Sequence, residues 1–221
     1  MNLLEAMAAR HSVRSYTDKS IEGETLSALE HEIEECNKES GLRIQLITNE
    51  AQAFSGMMAH CGKFRNVKNY IALVGQKSPT LDETIGYYGE RIVLKAQSLG
   101  LNTCWVALTY RKKKARCIVH KGEKLLCVLA LGYGATQGTS HKNKPLETLC
   151  DVETAMPSWF RKGMEAALLA PTASNQQKFY VSRRNSRVTI KATGGFYSKV
   201  DLGIVKYHFE SGAGKENFTW E

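Results

Sequence analysis

The feature that most constrains the fold is Leu125-Leu126-Cys127-Val128-Leu129-Ala130-Leu131, an apolar run without alternation. A strand with one wet face alternates apolar and polar residues, so this run reads as a central strand covered on both faces. In a chain of 221 residues, 43% of them hydrophobic, there is enough apolar material to cover it, in one large domain or in two closely packed halves. Three further segments read as its companions. Asn69-Tyr70-Ile71-Ala72-Leu73-Val74-Gly75 is a short apolar strand ended by glycine, Leu42, Ile44 and Leu46 alternate over 42–48 as in a half-buried strand, and Leu101 to Leu108 gives a loop and strand.

Helical periodicity supplies the cover. Leu3, Leu4, Met7 and Ala8 recur at helical spacing, and Leu26, Leu29, Ile33 and Cys36 form an apolar face opposite Glu30, Glu32, Glu34 and Glu35 in a helix closed by Gly41. The longest helix should run from about Leu81 to Leu99. Thr80-Leu81-Asp82-Glu83 has the spacing of a capping box, Ile85, Tyr88, Ile92, Ala96 and Leu99 give the inner face, and Gly100 suits the left-handed residue after the last turn. Trp159, Phe160, Met164, Ala167 and Leu168 predict a helix from Pro157 that stops at Ala170, because a residue before proline is steered away from helical dihedrals. Phe179-Tyr180-Val181 reads as a strand, and Asn49 to Lys68 as loop-rich and partly helical.

Composition narrows the function. No apolar run approaches the roughly 18 residues needed to cross a bilayer, and the N-terminus lacks the basic, apolar and cleavage regions of a signal peptide, so a cytoplasmic protein is expected. Cysteines 36, 61, 104, 117, 127 and 150 stand singly without a C-x-x-C pair, which suggests neither zinc nor a redox dithiol. The net charge of +8 favours anionic partners, nucleic acid or phosphorylated small molecules alike. Arg111-Lys112-Lys113-Lys114-Ala115-Arg116 is either a solvated face or a nucleic-acid patch, although only Tyr110 beside it offers a ring for stacking. Gly132-Tyr133-Gly134-Ala135-Thr136-Gln137-Gly138 is no dinucleotide fingerprint: the spacing is G-x-G-x-x-x-G and the chain runs on into Thr139 to Pro145 with no helix to hold pyrophosphate. The six histidines make no recognisable Ser/His/Asp or Cys/His arrangement.

Two polar clusters carry the chemistry. In Arg10-His11-Ser12-Val13-Arg14-Ser15-Tyr16, extended backbone would send Arg10, Ser12 and Arg14 to one side and His11 and Val13 to the other. Two guanidinium forks and a hydroxyl on one face suit a phosphate; a solvated basic edge strand is the alternative. In Thr172-Ala173-Ser174-Asn175-Gln176-Gln177 the amides of Asn175 and Gln177 could match a heteroaromatic edge of alternating donors and acceptors, or the segment is a polar loop that stops a helix. His141, Lys142 and Lys144 either add charge to a phosphate site or lie in an ordinary polar loop.

Taken with Gly86-Tyr87-Tyr88 and the helix ending Leu99-Gly100-Leu101-Asn102-Thr103-Cys104-Trp105, these clusters resemble the FMN-dependent nitroreductase family over nearly the whole chain. The resemblance implies an α+β, nitroreductase-like fold with a central mixed or antiparallel sheet flanked by helices. It implies that Arg10, His11, Ser12 and Arg14 hold the FMN phosphate and that Pro171, Thr172, Ser174, Asn175 and Gln177 lie near the ribityl chain and ring. His141, Lys142 and Lys144, in His141-Lys142-Asn143-Lys144-Pro145-Leu146, resemble the family's basic segment that also reaches the phosphate.

The order of the motifs departs from the usual one. Ordinary members carry A-P-[ST]-x-x-N-x-Q soon after R-x-S-x-R, where this chain has Cys36 to Gly41; here that motif stands at Ala170 to Gln177. Ile92-Val93 and Gly100 match Ile204-Val205 and Gly212 at one constant offset, and Trp105 matches Trp220 after a short insertion, which suggests an internal duplication. The chain thus resembles a small nitroreductase branch, related to flavoproteins likened to the flavin-destroying enzyme of benzimidazole synthesis, in which two unequal halves mimic the usual homodimer. A nitroreductase-like N-terminal half at 1–155 and a degenerate second half at 156–221 are expected to form this pseudo-dimer, with further association of whole chains open. The implied activity is ping-pong transfer of hydride from NADH or NADPH through FMN to a small acceptor such as a nitroaromatic, a quinone or a flavin, with no catalytic nucleophile or base. The alternatives are an FMN carrier or sensor without turnover, or a basic nucleic-acid-binding protein.

Overall fold

The computed structural model describes residues 1–151 and 156–221, so the junction expected at residue 155 lies outside the described residues. Among the described residues the helices are α1 (Leu3–Ala9), α2 (Gly23–Ser40), α3 (Met57–Cys61), α4 (Leu81–Ser98), α5 (Ser158–Ala167) and α6 (Ser198–Ala213). The strands are β1 (Gln45–Ile47), β2 (Asn69–Gln76), β3 (Asn102–Val106), β4 (Glu123–Gly132), β5 (Phe179–Arg184), β6 (Arg187–Ala192) and β7 (Thr219–Trp220). No helix among them is long and apolar enough to cross a membrane. The mixture of helices and two sheets is the α+β class expected.

The chain divides into two compact units. The first comprises Met1, Ala9–Leu81 and Ile92–Ser140, and holds an antiparallel sheet in the order β1-β2-β4-β3. Leu125 to Leu131 lies in β4, between two neighbours, and every residue of the run is buried. β1 is shorter than the alternation at 42–48 suggests: Leu42 and Ile44 are buried before the strand begins, whereas Leu46 is only half-buried. The loop-rich stretch 49–68 is fixed by Glu50, whose buried carboxylate accepts from the Tyr70 hydroxyl at 2.9 Å and from the Ala53 amide at 3.2 Å. Unpaired, such a carboxylate would be costly to bury. Phe54, Phe64, Tyr70 and Tyr110 pack around that loop. α2 ends as its sequence predicts, with Gly41 at φ 70° donating its amide to Asn37.

The second unit comprises Asn2–Ala8, Asp82–Arg91 and His141–Glu221, with a three-stranded sheet in the order β5-β6-β7 and α5 packed on α6. Backbones come close here because glycines allow it. A Cβ on Gly86 would lie 2.1 Å from the Val200 carbonyl oxygen and one on Gly203 would lie 2.0 Å from that of Glu83, so α6 crosses the 82–91 turns of α4 with no side chain between. Gly212 plays the same part against α5, where a Cβ would meet the Lys162 carbonyl oxygen at 2.5 Å. Gly100 follows α4 at φ 80°, whereas Gly212 lies inside α6 and Gly214 at φ 78° ends it. The two matched glycines therefore do different work. His208 and Glu90 are both fully buried, with Nε2 2.9 Å from the Glu90 carboxylate and Nδ1 3.0 Å from the Ala166 carbonyl oxygen. A carbonyl only accepts, so Nδ1 is the donor in that bond.

Two local expectations are corrected. Thr80 has helical dihedrals and makes no side-chain capping bond, and Glu83 accepts from Lys206. The reciprocal cap stands instead at α1, where the Asn2 amide donates to Glu5 and the Glu5 amide to the Asn2 side chain, both at 2.9 Å. In α1 the buried residues are Ala6 and Met7; Leu3 and Leu4 face solvent.

Candidate functional site

The segment 10–16, in the first unit, is held by its backbone. The Val13 amide donates to Thr103 at 2.9 Å, the Arg65 amide donates to Arg14 at 2.8 Å and the Tyr16 amide to Arg65 at 3.2 Å, while the Ala135 amide reaches Ser15 at 2.8 Å. Isolated bridges Ser12 to Thr103, Ser15 to Arg65 and Tyr16 to Gly134 complete the pairing. Tyr16 anchors the segment by donating its hydroxyl to the Val13 carbonyl at 2.7 Å, and burial holds that phenol well above its ordinary pKa. Gly138 crosses so closely that a Cβ there would lie 2.7 Å from that of His11.

With the backbone thus occupied, the side chains of the segment differ in burial. Val13 is buried against the core, and Ser12 and Arg14 are exposed; Arg10 is buried and His11 half-buried. Cys104 reports where the three polar groups lie. Burial raises this thiol, and the Arg14 guanidinium, a hydrogen bond with Ser12 and the Arg10 guanidinium each act against that rise. All three groups therefore lie near Cys104, and two cations with a hydroxyl are a donor set that suits a phosphate monoester.

In the second unit, His141, Lys142 and Lys144 stand with the loop that follows α5. The His141 Nε2 lies 3.0 Å from the Leu168 carbonyl oxygen, and the Lys144 ammonium donates to the Gln177 carbonyl at 3.1 Å. Lys142 has an exposed side chain, and its carbonyl accepts from Asn175 Nδ2 and from Gln177 Nε2, both at 2.9 Å. Gln177 is buried and fully engaged: its Oε1 accepts from the Lys144 amide at 2.9 Å, and its Nε2 also reaches Asn175 Oδ1 at 3.0 Å. In this arrangement the Gln177 amide clamps the 142–144 segment. Thr172 Oγ1 accepts from the Gln177 amide at 3.0 Å, whereas Ser174 is exposed and Pro171 half-buried. The loop is bent by Ser174, Asn175 and Gln177 at φ 50°, 54° and 43°.

Two contributors carry no sequence signal. Cys104 sits in β3, a strand buried except at Trp105, like any core cysteine. Asp201, in the first turn of α6, accepts from the Ala173 amide and from Gln176 in the bent loop. The basic run 111–116 is a largely exposed loop in which Lys112 donates to the Leu125 carbonyl at 2.5 Å and Arg111 to Ser55 at 3.1 Å.

A family model described as "putative TM nitroreductase" matches residues 2–213. Among solved structures, a "putative nitroreductase" from Thermotoga maritima is 22% identical with a TM-score of 0.67, over 95% of this chain and 82% of that one. Another from Desulfovibrio desulfuricans, in complex with FMN, is 18% identical with a TM-score of 0.53, over 71% of this chain and 99% of that one. A nitroreductase family protein from Streptococcus pneumoniae is 13% identical with a TM-score of 0.55, over 69% and 100%. No curated protein matches the chain.

Proposed function

The chain belongs to the putative TM nitroreductase family, and from that premise we propose that it is an FMN-dependent oxidoreductase that takes hydride from NADH or NADPH and gives it to a small acceptor such as a nitroaromatic, a quinone or a flavin. What supports the reading is the family match over residues 2–213, together with the backbone-paired segment that carries Arg10, Ser12 and Arg14 near Cys104. That donor set fits the dianionic phosphate of FMN, because a planar guanidinium offers paired N–H donors to two anionic oxygens. When bound, FMN supplies hydride acceptance and donation in alternation, which makes the kinetics ping-pong.

The residues of the chain then have positioning work. Arg10, Ser12 and Arg14, with His11 beside them, hold the phosphate; Lys142 and Lys144 add positive charge to the same end of the cofactor, with His141 beside them. Pro171, Thr172, Ser174 and Asn175 serve the ribityl chain and ring, and Gln177 keeps their loop against 142–144. No side chain is asked to act as nucleophile or base. One FMN per chain is expected, the two unequal parts standing in for the subunits of a homodimer.

The test is the visible spectrum of the purified protein, reconstituted with FMN and then mixed with NADH or NADPH. A yellow protein bleached by the nicotinamide, and restored by a nitroaromatic or quinone, supports the enzyme. Retention of FMN without bleaching would mean a carrier or sensor. A protein that takes up no FMN and retards DNA with steep salt dependence would move the function to the basic run.

A further inference from the structure

We propose that Asp201 is a positioning residue for FMN, acting by holding the 172–177 loop in its bent form; the proposal rests on the flavin reading above. The loop cannot hold this form on local preference. Ser174, Asn175 and Gln177 all lie in the left-handed region, at φ 50°, 54° and 43°, with no glycine among them. Asparagine tolerates that region and serine and glutamine do so less readily, and such a conformation persists only where the surroundings over-determine it.

Asp201 supplies that determination from outside the loop. It is only 5% exposed, and its two oxygens divide between the two ends of the bend. Oδ1 accepts from the Ala173 amide at 2.9 Å, and Oδ2 accepts from Gln176 Nε2 at 2.7 Å. The same Nε2 donates to the Phe196 carbonyl at 2.8 Å, and a Cβ on Gly195 would lie 2.1 Å from Gln176 Oε1. The Gln176 amide is thus seated between Asp201 and the Gly194-Gly195-Phe196 turn. The carboxylate itself is fixed, because it belongs to the first turn of α6, where the Asp201 amide donates to Tyr197 at 3.0 Å and the helix dipole favours a negative charge. A rigid helix therefore sets the residues that the flavin reading assigns to the ribityl chain and ring.

The experiment uses the full chain, with and without FMN. Asp201→Asn keeps the size of the side chain but turns a donor toward the Ala173 amide or toward Gln176, and Gln176→Ala removes the other partner without touching the buried carboxylate. Hydrogen exchange of the apo chain should rise about tenfold or more at 173–177 in both variants, with the exchange of β2 and β4 unchanged. The FMN dissociation constant should rise about tenfold, and Asp201→Glu should recover part of the loss. Unchanged loop exchange and unchanged FMN affinity in both variants overturn the proposal, and so does faster exchange with full affinity. A parent chain that takes up no FMN overturns the functional reading itself and this role with it. The apo exchange then still tells whether Asp201 holds the loop.

Discussion

Segment 10–16 and loop 171–177 solve opposite problems. The first is fastened through its backbone, by pairing with Thr103, Arg65 and the chain at 134–135, and this leaves its side chains free of that task. The second is fastened through its side chains: Asn175 and Gln177 donate to the Lys142 carbonyl and Gln176 donates to Asp201. A backbone-held segment can tolerate side-chain replacement and lose only its ligand. A side-chain-held loop loses its shape when one amide is changed. Substitutions in the two places should therefore fail differently.

The largest effect is expected at Arg14. Arg14→Glu removes a charge-assisted donor and sets an anion beside a phosphate, so FMN binding should weaken by about 2–5 kcal/mol while thermal stability stays near that of the parent. Retention of flavin through dialysis equal to the parent would remove the phosphate from this segment. Next comes the support under the side-chain-held loop. Gly203→Ala would place a Cβ 2.0 Å from the Glu83 carbonyl oxygen, and backbone cannot swing aside as a side chain can, so a loss of about 3 kcal/mol in unfolding free energy is expected. Chemical denaturation measures it; a change within error would mean that α6 and the 82–91 turns of α4 lie further apart.

How much of this could be read from residues alone differs between the two regions for the same reason. Alternation of Arg10, Ser12 and Arg14 is a period-2 signal, and the segment is bridged through its backbone to Thr103, Arg65 and Gly134, the setting in which such a signal can be read. β2, β4 and α4 were equally legible, being long and strongly patterned. α6 was not, because Val200–Val205 and His208–Glu210 are buried almost all round the helix and leave no apolar stripe to recognise. The bent loop hides its shape in another way. It has no glycine to mark its positive φ values, and its amides bond to the Lys142 carbonyl, a backbone group that no side-chain pattern announces. Asp201 is invisible for the same reason: its meaning lies in an amide some thirty positions away.

Gln177 tests the loop directly. Gln177→Ala leaves the Lys144 amide without an acceptor and frees the Lys142 carbonyl from one of its two donors, in a place only 3% exposed. Loss of about 2 kcal/mol of stability is expected, with faster exchange at 142–144. Gln177→Gly should lose less than Gln177→Ala, since glycine adopts φ 43° without strain. If alanine and glycine behave alike, strain at this position is not part of the loop's energetics.

The smallest effect comes from a side-chain-held joint in the first unit and shows whether the contrast belongs to the two segments or to the two units. Glu123 is buried in β4, accepts from the His120 amide at 2.8 Å and receives Arg43 Nε at 2.9 Å. The His120 amide first, and Arg43 after it, hold the carboxyl below its ordinary 4.5. A carboxyl lowered in the folded state binds fewer protons there than in the unfolded chain. Its stabilisation is therefore complete above the ordinary value and is lost as pH falls through 4.5 toward the folded value. Glu123→Gln should be less stable than the parent at neutral pH, and the two should converge in acid as the parent takes up its proton. Segment 10–16 should keep its FMN affinity in this variant at neutral pH, because the joint touches none of Thr103, Arg65 or Ala135. A variant that loses FMN binding in step with stability would mean that the backbone pairing of 10–16 depends on this distant side chain, and the distinction between backbone-held and side-chain-held elements would then fail within the first unit.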